Sequence, residues 1–378
     1  MDNQKIILIT HEYPPFRGGA GVYCEELTYA SRKEGININV WAPKYVKQEN
    51  HIRKLPLAGT QNWTCSFRLV REIKNFKFPN NALLHFAESG SLRAIVRLGW
   101  IVKELPKFIV TIHGTELIRF CKNPIEKIAF KKVLKQAVRI HVLSKFNRDK
   151  LVSLCPEITD KILVSPGAPA RNLIYSEDKP DKVLRNKKLR ILCVARIHPR
   201  KGQDQVLSAV ESLPQDLKKN IKCIFVGPIL KKDFHKKLLK QAENLDLEVT
   251  FHGDLSDSKL NEVYKTSDIF ILPSMPRSNS IEGFGFVYLE ASSHGLPVLG
   301  HSIGGVNDAV KNNITGILTN YNIPNELKSA LQRLVEDENL RIKMGDEGKK
   351  WASKHSWRNL AKEIYKPTGH LQMQGAID

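Results

Sequence analysis

Ser280-Ile281-Glu282-Gly283-Phe284-Gly285-Phe286-Val287-Tyr288-Leu289-Glu290-Ala291 sets two carboxylates, Glu282 and Glu290, around a Gly-x-Gly turn that runs into an apolar, helix-compatible segment. The preceding Ile269-Phe270-Ile271-Leu272 reads as a buried strand, stopped by Pro273 and Ser274. Strand, loop and helix in that order deliver Glu282 to the carboxyl end of the strand, the edge where open α/β sheets bind ligands. Gly283 and Gly285 carry no Cβ, so backbone N–H groups can come close to a ligand there. A helix that starts near Phe286 aims its first N–H groups and its positive dipole end at the same place, which suits a phosphate. Glu290, about one turn further on, can accept hydrogen bonds from sugar or ribose hydroxyls. Two glutamates eight residues apart also describe an ordinary solvated helix face. The strand before, the glycines between, and His294-Gly295-Leu296-Pro297-Val298-Leu299 after (a helix end and a new strand) favour a socket for a phosphorylated sugar.

Working back from this stretch, Leu189-Arg190-Ile191-Leu192-Cys193-Val194-Ala195 is a second buried strand. It ends in the basic loop Arg196-Ile197-His198-Pro199-Arg200-Lys201-Gly202, with a helix expected from about Asp204. In that loop Arg196 offers a fixed fork to phosphate oxygens and Lys201 a mobile point charge. Strands at Ile221–Val226 and Glu248–Phe251 end at Gly227-Pro228 and His252-Gly253-Asp254. Four such loops at one sheet edge describe a nucleotide site.

The first half alternates in the same way. Strands are expected at Lys5–Thr10, Asn37–Ala42, Leu83–Phe86, Phe108–Ile112 and Val138–Leu143, with helical segments between them, as in a parallel sheet. After the first strand, Tyr13-Pro14-Pro15-Phe16-Arg17-Gly18-Gly19-Ala20-Gly21 forms a glycine-rich loop. A helix is expected from Val22 to Arg32, with Glu25 and Glu26 in its first turn. The layout is one that cradles phosphate or forms simply a tight turn, and it is neither a dinucleotide fingerprint nor a P-loop. His113-Gly114-Thr115-Glu116 follows the fourth strand and puts His113 at the carboxyl edge, where it can hydrogen-bond a substrate. Asn123-Pro124 opens a helix whose apolar positions Ile125, Ile128, Ala129, Val133 and Ala137 alternate with Lys127, Lys131, Lys132 and Lys135. That is a surface helix with a solvated basic face, or one attracted to anionic lipid head groups. The polar stretch Tyr175–Lys188 reads as the linker between domains.

The bulk properties agree with two soluble domains. The chain has 378 residues, 42% of them apolar and 26% charged, with no apolar run long enough to span a bilayer and an N-terminus that enters a strand without a signal peptide. Six scattered cysteines fit reduced thiols in the cytosol better than disulfides or a zinc site. The net charge is +20, of which residues 1–183 carry +13, so anionic partners are expected: a phosphorylated substrate or an acidic membrane surface. No nucleic-acid-binding pattern is present.

Taken together, Tyr13-Pro14-Pro15 with Gly18-Gly19, Val194-Ala195-Arg196 with Pro199-Arg200-Lys201-Gly202, Phe251-His252-Gly253, Asp268 to Ser274, and Glu282-Gly283-Phe284-Gly285 with Glu290-Ala291 resemble the retaining GT-B glycosyltransferases of family 4 (group 1). Gly295-Leu296-Pro297-Val298, Gly304-Gly305-Val306, Gly316-Ile317-Leu318 and Ser356-Trp357 continue the likeness over about residues 5–365. The resemblance implies an α/β fold of two Rossmann-like domains facing across a cleft. An acceptor domain would cover residues 1–183, a nucleotide-sugar donor domain 184–350, and a helix and tail 351–378 that returns to the first domain. It assigns the diphosphate to Arg196 and Lys201, the ribose to Glu290, and the transferred sugar to Glu282 with the backbone of Gly283, Phe284, Gly285 and Phe286. Gly18, Gly19 and Gly253 would line the donor, and His113 would bind the sugar near the reacting carbon.

The implied enzyme moves a sugar from a UDP- or GDP-sugar to a hydroxyl of a glycan or lipid-linked acceptor in the synthesis of cell-surface polysaccharide or lipopolysaccharide. It would need no cofactor and no metal, and would work in the cytoplasm or peripherally on the cytosolic face of a membrane. No Asp-x-Asp occurs in the sequence. Two departures from the family pattern stand out: Ser165-Pro166-Gly167-Ala168 at the interdomain turn, and Asp308 where Gly-Gly-x-x-Glu is usual. A catalytically idle scaffold, a nucleotide-sugar epimerase and a pyridoxal-dependent phosphorylase of the same fold are the competing readings.

Overall fold

The computed structural model describes residues 4–15, 18–57, 62–174, 188–245, 247–278 and 280–366. The chain forms two compact units, Met1–Gly167 with Trp357–Asp378, and Ala168–Ser356.

The first unit is a seven-stranded parallel sheet built from β1 (Lys5–Ile9), β2 (Ile38–Pro43), β3 (Ile52–Leu55), β4 (Ala82–Phe86), β5 (Phe108–Ile112), β6 (Arg139–Val142) and β7 (Ile162–Val164). Its order is β3-β2-β1-β4-β5-β6-β7. Helices α1 (Gly19–Lys33), α2 (Trp63–Asn75), α3 (Ser89–Leu98), α4 (Thr115–Phe120), α5 (Pro124–Gln136) and α6 (Lys145–Leu154) provide the crossovers. Sheets covered by helices on both faces are buried on both faces. Every residue of β4 and β5 is accordingly buried, and Phe86, Leu84, Val110 and Ile112 join the core.

The second unit repeats the plan with six parallel strands: β8 (Leu189–Val194), β9 (Ile221–Val226), β10 (Glu248–Phe251), β11 (Ile269–Leu272), β12 (Val298–His301) and β13 (Gly316–Thr319), in the order β10-β9-β8-β11-β12-β13. Its helices are α7 (Gln203–Glu211), α8 (Gln215–Lys218), α9 (Lys232–Asn244), α10 (Asp257–Lys265), α11 (Phe286–Ser293), α12 (Val306–Ala309), α13 (Pro324–Glu336) and α14 (Glu338–Ala352). In both sheets the first strand sits between the second and the fourth. Each unit thus has a switch point where successive connections leave in opposite directions, as in a Rossmann fold.

The last helix, α15 (Trp357–Tyr365), belongs to the first unit and lies against α1. Buried Arg139 donates to the carbonyls of Glu363, Ile364 and Lys366 at the end of α15, where helix carbonyls lack partners of their own. The Tyr365 hydroxyl meets Nδ1 of His85 at 2.8 Å, and Glu34 on the preceding edge takes Lys362 at 2.7 Å as well as Arg358.

Several boundaries differ from those expected. The units divide after Gly167 and again before Trp357, not at 183 and 350. The short turn Arg171–Leu173 is tied into the second unit, where Leu173 O accepts from Ser293 Oγ at 3.3 Å and Asn172 Nδ2 donates to Asp257 at 3.1 Å. The expected linker, apart from Lys188, lies outside the described residues. Helix α1 begins at Gly19, three residues early, with Gly18 as its N-cap; Glu25 and Glu26 consequently fall in its second turn. On α5 the expected inner face is rotated. Phe130, Val133 and Leu134 are buried, while Ile125 and Ile128 project outward. None of the six cysteines forms a disulfide, and five of them are buried.

Candidate active site

The loops after β8 and β11 leave adjacent strands at the switch point of the second sheet, and they are stitched together. Met275 N donates to Arg200 O at 2.8 Å. Gly202, at φ +70°, closes the short turn Pro199–Lys201, and a Cβ there would stand 2.2 Å from Pro273 O. Only glycine allows this approach of the two backbones. The contact sets two adjacent basic side chains against the acid of the second loop. Lys201 Nζ donates to Glu282 Oε2 at 2.6 Å, Arg200 Nη1 donates to the same oxygen at 3.1 Å, and Ser274 Oγ donates to it at 3.3 Å.

Glu282 is itself fixed through its backbone. Its carbonyl accepts from Gly305 N at 3.0 Å. A Cβ on Gly304, at φ +53°, would lie 2.2 Å from that carbonyl. The Gly304-Gly305 pair therefore has a mechanical purpose, which is to let the β12–α12 turn close over the acid.

Burial alone would raise the Glu282 carboxyl, but Lys201 and Arg200 outweigh it and hold the group at about 2. Burial and the charge of Arg200 push the Lys201 ammonium down, and Glu282 offsets only part of this. Burial lowers the imidazole of His198, with further pressure from Arg200, Arg196, Lys231 and Arg277, which measures how cationic this edge is. Arg200, Lys201 and Glu282 carry a net charge of +1, and exposed Arg196 adds to it. Such a cluster suits an anion with several oxygens.

Beyond Glu282 the chain enters α11 through Gly285, at φ +90°, where a Cβ would strike the Tyr288 ring at 2.6 Å. Gly283 and Phe284 are buried in this turn, and the Phe284 and Phe286 rings meet edge to face. Glu290 sits on α11 almost fully buried, with Oε2 accepting from the Tyr264 hydroxyl at 3.0 Å. His294 stacks on Tyr264 and donates from Nδ1 to Glu290 O at 2.8 Å, which locks this turn of the helix. Gly253, at φ +64°, ends the loop after β10; its carbonyl accepts from Gly227 N at 2.7 Å, and the space beside its Cα is open.

The first unit assembles its own cluster at the carboxyl edge of the adjacent strands β1, β4 and β5. His11 reaches Glu88 Oε1 through its backbone N–H at 3.0 Å and through Nδ1 at 3.1 Å. Glu88 also caps α3 by accepting from Gly90 N and Ser91 N. Burial opposes its ionisation, yet these bonds, led by His11, hold it at about 2. His113 Nε2 donates to Ala87 O at 2.9 Å, which leaves Nδ1 for any further partner, and its ring stands edge-on to Tyr23. Glu116 is fully buried with no partner for Oε2, and burial raises its carboxyl. Gly18 and Gly19 start α1 beside this edge, and Phe16 and Arg17 lie outside the described residues.

Within the second unit the structure brings Lys201 and Glu282 into one cluster with Gly283 and Gly285. Arg196 stays at the exposed mouth of its loop, where its carbonyl accepts from Gln203 Nε2 at 3.0 Å. Arg200, Ser274, His11 and Glu88 had not been singled out from the sequence. Arg200 could have been found as the second cation of an Arg-Lys pair, and Glu88 as the acid directly after a buried strand.

Two Rossmann-like units, each with a polar carboxyl edge at its switch point, define a GT-B architecture. Solved structures agree in fold. Sucrose-phosphate synthase from Thermosynechococcus elongatus superposes with a TM-score of 0.79 at 19% identity, covering 96% of this chain and 97% of that one. HepE from Anabaena, in complex with UDP and glucose, gives 0.75 at 18% identity, covering 96% and 98%. Residues 17–167 match Glycosyltransferase Family 4 and residues 175–351 match Glycosyl transferases group 1, and the chain belongs to this family of glycosyltransferases. A GDP-mannose-dependent alpha-(1-6)-phosphatidylinositol monomannoside mannosyltransferase from Mycolicibacterium smegmatis is 25% identical over 93% of this chain and 95% of its own length.

Proposed function

We propose that this glycosyltransferase moves a sugar, with retention of anomeric configuration, from a uridine or guanosine diphosphate sugar to a hydroxyl of a glycan or lipid-linked acceptor in cell-surface glycan synthesis. The observation that carries the reading is the convergence of Arg200, Lys201 and Ser274 on one oxygen of Glu282 at a switch point. Arg196, Arg200 and Lys201 take the diphosphate. Glu282 Oε1, which none of these three groups engages, accepts from a hydroxyl of the transferred sugar, with the Gly283-Phe284-Gly285 backbone alongside. Glu290 takes the ribose, and Gly253 leaves room for the nucleotide. His113 uses Nδ1 for a sugar hydroxyl.

In the reaction, the bond from the anomeric carbon to the phosphate oxygen breaks and a bond to the acceptor oxygen forms on the same face. The acceptor's proton passes to the departing phosphate. Charge grows on that phosphate as it leaves, and fixed cations in a partly buried setting stabilise it most where it grows. Arg200 and Lys201 supply this charge in the proposed scheme, so no bound metal or cofactor is required. A lipid-linked acceptor lies at a membrane. We place the enzyme peripherally on the cytosolic face of that membrane; among the described residues no helix is long and apolar enough to cross one.

The test is release of nucleotide from UDP- and GDP-sugars by the wild-type chain and by Lys201→Ala and Arg200→Ala, with folding followed by circular dichroism. Donor turnover that falls at least a hundredfold in folded variants supports the reading. Unchanged turnover would remove these residues from the site.

A further inference from the structure

The five most exposed large hydrophobic side chains among the described residues are Trp100 and Ile125 at 78%, Ile128 at 71%, Trp63 at 58% and Phe67 at 54%. They come from three separate elements of the first unit, yet one side chain connects them. The Arg97 guanidinium on α3 lies 4.3 Å from the centre of the Trp63 ring on α2. Its Nε donates to Glu126 on α5 at 2.7 Å, between the two exposed isoleucines. Its carbonyl accepts from the Trp100 indole at 3.2 Å. Phe67 follows Trp63 by one helical turn, on the same side of α2. Helix α3 packs against α2, α5 and the turn Gly99–Ile101, so all five side chains share one face. Single exposed apolar residues are ordinary, but a contiguous patch of this size marks an interaction surface.

The charge around the patch identifies its partner. Residues 63–75, 89–107 and 115–136 hold thirteen lysines and arginines against four glutamates. Three of the four glutamates are neutralised or withdrawn: Glu126 is paired with Arg97, Glu72 with Arg53, and Glu116 is buried. Lys127 and Lys132 stand exposed on α5 among the isoleucines. Tryptophans and isoleucines that project beside lysines are what an anionic bilayer binds. The aromatic and aliphatic groups enter the head-group boundary and the cations stay with the phosphates. We propose that this face of the first unit, centred on Arg97 and presenting Trp63, Phe67, Trp100, Ile125 and Ile128, docks the protein on an anionic lipid bilayer. The proposal names the surface for the peripheral attachment proposed above, and it can be tested without any transferase activity.

The experiment is flotation of the full chain with vesicles of phosphatidylcholine alone and of phosphatidylcholine with phosphatidylglycerol, with no donor or acceptor present. Binding is expected only to the anionic vesicles, weakening at least tenfold as salt is raised to 0.5 M. The triple variant W100A/I125S/I128S should lose at least tenfold, and K127E/K132E more, since each basic residue changes the partition about fivefold. Both variants alter exposed positions, so an unchanged melting temperature and an unchanged nucleotide-induced shift will separate lost docking from lost fold or lost site. Failure to bind anionic vesicles, equal binding to neutral ones, or full binding by both variants would overturn the proposal. So would a dimer of the wild-type chain that W100A/I125S/I128S abolishes, because the face would then belong to a second copy.

Discussion

Replacing Glu282 by Gln keeps the shape of the side chain and removes its charge. Holding a carboxyl at about 2 instead of its ordinary 4.5 corresponds to about 3 kcal/mol at roughly 1.4 kcal/mol per pKa unit, the net favour that Lys201 and Arg200 confer after burial is subtracted. Glu282→Gln should therefore cost up to about 3 kcal/mol at neutral pH, or on the order of 6–12 °C in the melting of a unit this size. The sign follows from the lowered carboxyl: its contribution is complete above about 4.5 and fades as pH falls toward 2, so wild type and variant should converge in acid. The variant also leaves Lys201 and Arg200 side by side without their counter-charge. A nucleoside diphosphate supplies that charge, so UDP or GDP at one fixed concentration should bind Glu282→Gln more tightly than wild type, stabilise it more and recover part of its lost stability. The assay is differential scanning fluorimetry of both proteins between pH 2.5 and 8, with and without nucleotide. An unchanged melt, or a nucleotide that fails to narrow the gap, would refute the electrostatic reasoning.

Other consequences can be checked as simply. Gly202→Ala and Gly253→Ala both place a side chain at positive φ, but only the first drives a Cβ to within 2.2 Å of a backbone oxygen; urea unfolding should show Gly253→Ala costing about 1 kcal/mol and Gly202→Ala roughly 3 kcal/mol or more. Tyr365→Phe strips the buried His85 of its partner on α15 and should cost about 1–3 kcal/mol without altering nucleotide binding by the second unit. Burial lowers the imidazoles of His85 and His141, the latter to about 3, so the unfolded chain takes up protons first as pH falls below 6.5. His141 alone should take about 2 kcal/mol from the stability of the first unit between pH 7 and 5, at roughly 1.4 kcal/mol per pH unit, and His85 should add to the loss in the same direction; a flat profile in denaturant titrations would contradict the buried neutral rings.

Much of this structure is written in local patterns. Ile269-Phe270-Ile271-Leu272 is a continuous apolar run and Phe108–Ile112 an apolar run broken only by Thr111, stopped by a proline and by His-Gly, and both are buried strands at the expected places. The Glu282-Gly-Phe-Gly turn opens its helix at Phe286, because only glycine at 285 can turn the chain past the Tyr288 ring. What the sequence hides depends on distant partners. Strand β3, Ile52-Arg53-Lys54-Leu55, has two exposed cations between its buried ends and gives no apolar run, because it is an edge strand. Helix α5 offers two apolar stripes that share Val133. Its neighbours, not its periodicity, select Phe130 and Leu134 for the core and leave Ile125 and Ile128 outside. Likewise, Arg200 and Lys201 are equally basic in the sequence as Arg196. The stitching of their loop to Pro273 and Met275 turns the pair toward Glu282 and leaves Arg196 at the mouth.

We propose that the edge formed by Arg200, Lys201 and Glu282 binds the diphosphate of a nucleotide sugar without a metal. The most direct measurement is the melting temperature of the wild-type chain and of Lys201→Ala with UDP, GDP, ADP and CMP, each in magnesium and in EDTA. A nucleotide at a hundred times its dissociation constant stabilises by about 2.7 kcal/mol, on the order of 5–10 °C here. UDP or GDP should give such a shift equally in EDTA, and Lys201→Ala should abolish it. A shift that needs magnesium, or no shift from any nucleotide, would contradict the proposal.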